Sequence, residues 1–398
     1  MQSDSRRGFL RQLSMGAGIV GAGSAFGAEK PIQGFDDTDT TVQKDKVWTP
    51  KSDRKIRVGI VGYGVCRFGA SFGYQDHPNV EIVAVSDLVP ERCKKLSEVV
   101  RCAKTYPSLE ELVKDDNIEA VFVATDAPSH ARHCIEVLKH GKHVICAVPA
   151  TWDSLEEAEE LLETVKKTGL NYMLNETSCF HSQNYAMREI YNAGEFGRML
   201  YTEGEYYHYM DKPIDSFKGW RIGMPPQLYP THSNAYLNGV TSESFTEVSC
   251  MGIPSSIEHL KAENNIYKNP FGTEVALFRT SGGGMSRMVV SWDTPGYHGE
   301  KGRVRGEKGS MTGITYQGIG DVSKLALEKP PLPPGMPAGG HGGSHGYLTE
   351  EFINSILENR KPLIDIKMAL DMTVGGIVAH QSAMKDGELL KIPQYDFA

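Results

Sequence analysis

Two glycines, Gly62 and Gly64, close a short apolar run from Arg57 to Val61, and an acid, Asp87, closes the next run from Val80. Those residue types at that spacing suit a dinucleotide. Gly62 permits a tight turn, and Gly64 lets the backbone approach a pyrophosphate at the amino end of the following helix, where unpaired N–H groups favour anions. A carboxylate about 20 residues further on accepts hydrogen bonds from both ribose hydroxyls of NAD and repels the 2′-phosphate of NADP. Arg67 occupies the position of the usual third glycine, with Gly69 beyond it. Without this context the glycines are an ordinary strand-to-helix turn, and Asp87 is a cap for the helix opening at Pro90.

The elements that must position these groups alternate. Ser108 caps a helix opening at Leu109, Ala120 to Thr125 reads as a strand, Ser129 to His140 as a helix, and His143 to Cys146 as a strand. Repeated βαβ units predict a right-handed, doubly wound parallel sheet. Ligands collect at the carboxyl ends of such strands, which here carry Thr125, Pro128, His130 and the tripeptide Ala147-Val148-Pro149.

A sixth apolar strand, Leu170 to Leu174, leads into Glu176 and His181 at the mouth of the cleft. The run Glu205 to Asp211 alternates like a strand and offers Tyr207 as a stacking ring for a sugar, or simply an aromatic sheet face. A proline-rich spacer, Pro330 to Gly335, precedes the loop Gly339 to Gly346. Its His341 and His345 lack a suitably spaced carboxylate for a metal, so a loop whose His345 closes over substrate is the preferred reading. No metal is expected. The charged stretch Arg303 to Ser310 reads as a structural hairpin.

The chain has 398 residues and a net charge of -8, with no long basic run. Nucleic acid is therefore not an expected partner. The seven cysteines are scattered, odd in number and without a Cys-x-x-Cys pair, so no disulfide framework is expected. Arg6-Arg7-Gly8-Phe9-Leu10 before a weakly apolar Gly/Ala stretch reads as a twin-arginine export signal over 1–28, too short to span a bilayer. That predicts an exported, periplasmic protein with no membrane segment after processing, carried by the twin-arginine machinery. A polar linker or intersubunit arm follows over 29–53. The length left predicts two domains, 54–175 and 176–398.

In sum of motifs, the chain resembles the Gfo/Idh/MocA oxidoreductases: the glycine turn, the acid after the second strand, Ala124-Thr125-x-x-Pro128-x-His130, Gly141-Lys142-His143-Val144 and Asn192-Ala193-Gly194-Glu195-Phe196-Gly197. The resemblance implies an α/β protein, a Rossmann domain binding NAD followed by an α/β domain on a large, mostly antiparallel sheet. One face of that sheet would bind a small carbohydrate and the other would build a dimer or tetramer, with the carboxyl-terminal helices packing back on the Rossmann domain. It also places Glu176 at the cofactor and His181 at the substrate. Sugar dehydrogenases of the family have Glu-Lys-Pro where this chain has Ala147-Val148-Pro149, so a base must come from elsewhere.

Gly219-Trp220-Arg221 and Tyr229-Pro230-Thr231-His232 resemble motifs of the family's NAD-dependent glycosidase branch. That resemblance puts Trp220 and Arg221 at the cofactor, His232 in the role of general base and Tyr229 in that of proton donor or orienter. An imidazole and a phenol suit those tasks; otherwise the two rings pack and cap a helix. The implied reaction is hydride transfer at a sugar ring carbon. Two further readings stay open, a glycosidase that oxidises, eliminates, hydrates and re-reduces, and a non-catalytic protein that retains NAD.

Overall fold

The computed structural model describes residues 43–396 apart from position 297. The expected export signal and most of the expected linker lie outside the described residues. Residues 43–53 lie against their own chain: the Gln43 N–H donates to the Lys329 carbonyl at 2.9 Å, and Trp48 Nε1 donates to Glu350 Oε1 at 2.8 Å.

The first sheet is built from β1 (Ile56–Val61), β2 (Val80–Ser86), β3 (Thr105–Tyr106), β4 (Ala120–Val123), β5 (His143–Cys146) and β6 (Tyr172–Leu174). All pairings are parallel, and the strand order is β3-β2-β1-β4-β5-β6. Helices cover both faces, so β4 can be four apolar residues in a row, Ala-Val-Phe-Val, every one buried. The order reverses between β1 and β4, which opens a crevice at their carboxyl ends.

The second sheet holds β7 (Met199–Tyr207), β8 (Phe245–Pro254), β9 (Phe271–Thr280), β10 (Met285–Ser291), β11 (Gly299–Gly306), β12 (Gly309–Thr312), β13 (Thr315–Gly318) and β14 (Leu390–Lys391). Its order is β13-β12-β11-β7-β10-β9-β8-β14, antiparallel except where β10 runs parallel to β7. The doubly wound sheet and the large antiparallel sheet are both as the sequence implies. One face of the second sheet packs on the helix Ile366–Ala383, whose residues are apolar and buried nearly all round.

The described residues make one compact unit, and its main apolar cluster runs through both sheets. A smaller apolar cluster gathers Met187, Phe196, Tyr236 and Val304 beside the second sheet. The carboxyl-terminal helices seal the joint. The Leu174 N–H donates to the Ile364 carbonyl at 3.0 Å, and Thr349 Oγ1, from the helix His345–Leu357, donates to the Phe72 carbonyl at 2.8 Å. No helix among the described residues is long and apolar enough to cross a membrane. No disulfide joins any of the seven cysteines.

Candidate active site

A cavity of about 280 Å³ occupies the crevice beyond β1 and β4. A Cβ on Gly62, at φ 104°, would stand 2.2 Å from the Ala124 carbonyl oxygen, so only glycine fits that turn. A Cβ on Gly64 would meet nothing within 4 Å, which is the open approach a pyrophosphate needs. The third glycine's packing role is taken by Gly69, whose Cβ would lie 2.4 Å from the Gly62 carbonyl oxygen. Arg67 itself adopts a left-handed φ of 54° just before the short helix Phe68–Ser71.

Asp87 lines the cavity and does not cap the next helix, whose N-cap is Val89 without a side-chain bond. Its carboxylate accepts from the Tyr63 N–H at 2.7 Å and the Val89 N–H at 2.8 Å, which fixes it at the glycine turn. These residues fit NAD: a glycine cradle for the pyrophosphate and, beside it, a carboxylate for the ribose. Thr125, His130, Trp220 and Arg221 also line the wall. Thr125 Oγ1 lies 2.9 Å from His133 Nδ1, and His130 Nδ1 donates to the Pro149 carbonyl at 2.7 Å, tying the ends of β4 and β5 together. Pro128 is a correction. It opens the 3-10 turn Ala127–Ser129 and does not reach the cavity.

The wall also includes Val148 and Tyr229 beside Arg221. The Arg221 guanidinium lies 4.2 Å from the Trp220 ring centroid and 5.8 Å from that of Tyr229. Burial pushes the Tyr229 phenol up to about 12, against the pull of the Arg221 charge, so at neutral pH the hydroxyl keeps its proton as a donor. His232 sits behind Tyr229, ring centroids 5.6 Å apart, and does not itself line the cavity.

How His232 comes to lie there is a matter of glycines. Its segment, Thr231–Asn234, is pressed on β7 at Gly204, where a Cβ would be 1.9 Å from the Ser233 carbonyl oxygen, and Tyr236 rests on Gly302 of β11 in the same way. His232 Nδ1 donates to Glu176 Oε1 at 2.8 Å, and Glu300 Oε1 lies 3.7 Å from the same nitrogen. Burial lowers the affinity of this imidazole for its proton, but the Glu176 and Glu300 charges outweigh it and push His232 up to about 9. In the site as it stands His232 is thus a protonated group held between carboxylates, which amends the expectation of a neutral base.

Glu176 is fully buried and holds His232 in place of lining the cofactor wall, a second correction. His181 comes to the same cluster, with Nε2 at 3.2 Å from Glu300 Oε2. Tyr207 is a third correction. Neighbouring residues of a strand point to opposite faces, and the tyrosine that meets His232 is Tyr206, at 4.6 Å between centroids, while Tyr207 turns to the Glu205 and Arg287 side. His345 is a fourth: it stacks on Phe72 at 4.1 Å and donates from Nδ1 to the Ser71 carbonyl, so it supports His341 instead of facing a substrate. His341 is the member of that loop near His232, at 6.0 Å between ring centroids. Sequence reasoning missed Tyr206, Glu300 and His341. The aromatic run did flag Tyr206, one residue out of phase. Arg303 stays structural, paired with Glu203.

Residues 56–176 match the model of the oxidoreductase family with an NAD-binding Rossmann fold. In these residues the chain is similar to the Gfo/Idh/MocA oxidoreductases, whose Rossmann fold binds NAD. The chain is also similar to a glycosyl hydrolase family 109 protein of Bacteroides fragilis, 32% identical over 215 residues that make up 51% of this chain and 46% of the relative. The chain thus spans about half the length of that relative, 46%. A family 109 protein of Solibacter usitatus is 23% identical over 99% of this chain and 98% of its own. Among solved structures, levoglucosan dehydrogenase with NADH and L-sorbose superposes with a TM-score of 0.69 at 14% identity, over 86% of this chain and all of that one. Apo scyllo-inositol dehydrogenase from Lactobacillus casei gives 0.67 at 16%, over 85% and 99%. At these identities the two structures establish the fold alone.

Proposed function

We propose that the protein is an NAD-dependent oxidoreductase that acts on a carbohydrate by hydride transfer at a ring carbon. One observation carries the reading: the cavity lined by Asp87 is also lined by Tyr229, with the buried His232 and Glu176 behind that ring. NAD, when bound, supplies the hydride acceptor. The chain's own residues do the rest. Gly62 and Gly64 cradle the pyrophosphate, Asp87 holds the ribose, and Tyr229 keeps a phenolic proton to orient or protonate the sugar oxygen. The buried His232–Glu176 pair behind Tyr229 is the proton reservoir nearest the reacting hydroxyl, a role that Val148 cannot perform.

A glycosidase is the second reading, favoured by the Tyr-x-x-His spacing and by the names of the family 109 relatives. It shares the first step, then uses the ketone to acidify the neighbouring C–H, eliminates the aglycone, adds water and returns the hydride. Product analysis on a glycoside panel separates the two: keto sugar with net NADH for the oxidoreductase, free aglycone without net NADH for the glycosidase. Bound NAD with neither product selects a non-catalytic protein.

Export by the twin-arginine route into the periplasm is part of the same proposal, because a tightly held, recycled NAD suits a compartment without a free supply. Arg6→Lys with Arg7→Lys should leave the protein in the cytoplasm on fractionation; unchanged export counts against it. A homo-oligomer through the outer face of the second sheet, where Met251, Leu277 and Met285 are exposed, is tested by light scattering.

A further inference from the structure

The loop that brings His341 to His232 bends through three left-handed residues in succession: His341, Gly342 and Gly343 have φ values of 49°, 63° and 67°. The glycines take this conformation freely, but for His341 its Cβ makes it unfavourable. Two backbone bonds close the ends of the loop, from the Ser344 N–H to the Gly340 carbonyl at 3.2 Å and from the Gly346 N–H to the Ala338 carbonyl at 3.0 Å. Neither bond uses the carbonyls of Gly342 and Gly343, which point to a side chain.

That side chain is Lys329. Its Nζ donates to the Gly343 carbonyl at 3.0 Å and more weakly to the Gly342 carbonyl at 3.4 Å, and the Tyr347 ring centroid is 4.6 Å away. Lys329 is fully buried. An ammonium is costly to bury unless its hydrogen bonds are made, and a methionine would fill much the same space without that cost. What methionine cannot do is donate to two inward carbonyls. The backbone of Lys329 is pinned from its other side, where its carbonyl accepts from the Gln43 N–H at 2.9 Å. The ammonium therefore has a fixed base from which to hold the turn.

The turn sets two imidazoles. A Cβ on Gly342 would stand 2.8 Å from His181 Cδ2, so the backbone there lies against that ring, and His181 Nε2 is 3.2 Å from Glu300 Oε2. His341, one residue earlier, stacks on His232 with ring planes 29° apart. Neither Lys329 nor the loop lines the cofactor cavity.

We propose that Lys329 is a positioning residue for the reaction: its ammonium fixes the Gly342–Gly343 turn, and through it the places of His181 and His341 beside His232. The clamp stands on the geometry, and its bearing on turnover rests on the hydride-transfer reading. Misplacing the groups that orient a substrate by about 1 Å costs roughly 10²-fold in rate, which is the loss expected when the ammonium is removed.

The test compares Lys329→Met with Lys329→Gln in the NAD-loaded protein. Methionine keeps the length without a donor, whereas glutamine is neutral and keeps an N–H. Deuterium exchange of the amides over 339–346, followed by mass spectrometry, should rise about tenfold or more in the methionine variant and less in the glutamine one. Exchange over 62–67 and NAD affinity should be unchanged in both. On a sugar that the unaltered protein oxidises, kcat per NAD-loaded chain should fall roughly 10²-fold with methionine and less with glutamine. A lysine that merely fills space gives the reverse order, because methionine packs there and glutamine leaves a polar group buried. The proposal falls on that reverse order, on unaltered exchange in the loop, or on full kcat in the methionine variant. If the methionine variant does not fold, the glutamine variant decides alone: faster exchange over 339–346 and lower kcat at unchanged NAD affinity support the clamp, and wild-type values for either overturn it. Failure of the hydride reading looks different: the unaltered protein yields no product from any sugar, while the order of exchange rates still shows whether the clamp exists.

Discussion

Tyr206 and Glu300 stand opposite each other across the β7–β11 ladder, so one register brings both an aromatic wall and a carboxylate to His232. The same register pairs Gly204 with Gly302, the two positions on which the His232 segment rests. Gly204→Ala should push Thr231–Asn234 off the sheet, costing about 1 to 3 kcal/mol in stability and most of the turnover. NAD affinity should stay as it was, because Gly62, Gly64 and Asp87 are untouched. Urea unfolding, turnover and an NAD titration check this; a variant with full turnover would show that the glycine floor does not position the imidazole.

Asp87→Ala is expected to weaken NAD binding by about 1 to 3 kcal/mol, the scale of hydrogen bonds to a charged group. The loss includes the anchoring of the glycine turn, since Asp87 also holds the Tyr63 N–H. Calorimetry with NAD and NADP on both proteins is the measurement. Tight NADP binding by the unaltered protein would contradict the role given to this carboxylate.

His232→Ala should lower turnover by roughly 10²- to 10⁴-fold while bound NAD is unchanged, since His232 does not line the cavity. Tyr229→Phe removes only the proton donor. It should reduce turnover with little effect on stability, because the ring still packs against Trp220. Full activity in both variants would move the chemistry elsewhere.

The nucleotide half of this site was legible because its information is local. A glycine turn, an acid closing the next strand and buried apolar runs are each written within a few residues. The other half depends on how distant strands meet. Tyr206 and Tyr207 are indistinguishable in the sequence, and only the packing of Ser233 on Gly204 decides which tyrosine turns inward. Glu300 sits between a glycine and a lysine in a charged hairpin and becomes a site residue solely through its pairing with Tyr206. His345 looked like the loop's working histidine, yet its nitrogens go to Ser71 and His341. That the last helices pack back on the Rossmann domain came from the family resemblance alone, because no short motif encodes the bonds from Ile364 and Thr349 to Leu174 and Phe72.

Two buried histidines set a pH limit on the fold. Burial pushes His345 down to about 4, only partly opposed by the Ser71 carbonyl, and burial with the nearby Arg221 charge pushes His208 down to about 3. In the unfolded chain both titrate near 6.5. Below that pH the unfolded state takes up protons that the folded state refuses, so stability is retained above about 6.5 and falls as the pH drops toward 4. Urea midpoints measured over that range should decline, and His345→Gln should flatten the decline. An unchanged slope in the variant would mean that this imidazole is not held neutral.

Whether the cofactor ends each cycle as it began separates the two reactions. If the ketone formed at a ring carbon acidifies the adjacent C–H, that proton exchanges with solvent before the hydride returns. Incubating the NAD-loaded protein with a cleaved glycoside in D₂O then gives aglycone, deuterium at the exchanged carbon and no net NADH, with many turnovers from one NAD. A simple oxidoreductase gives one NADH per keto sugar, stops when its cofactor is reduced and releases no aglycone. Tyr229 bears on the choice. A phenol that keeps its proton up to about pH 12 can hand it to a departing glycosidic oxygen, which elimination requires and plain oxidation does not. Tyr229→Phe should therefore block aglycone release while leaving exchange at carbon measurable if cleavage is the native reaction. Equal loss of exchange and release would place the tyrosine at the oxidation step that both reactions share.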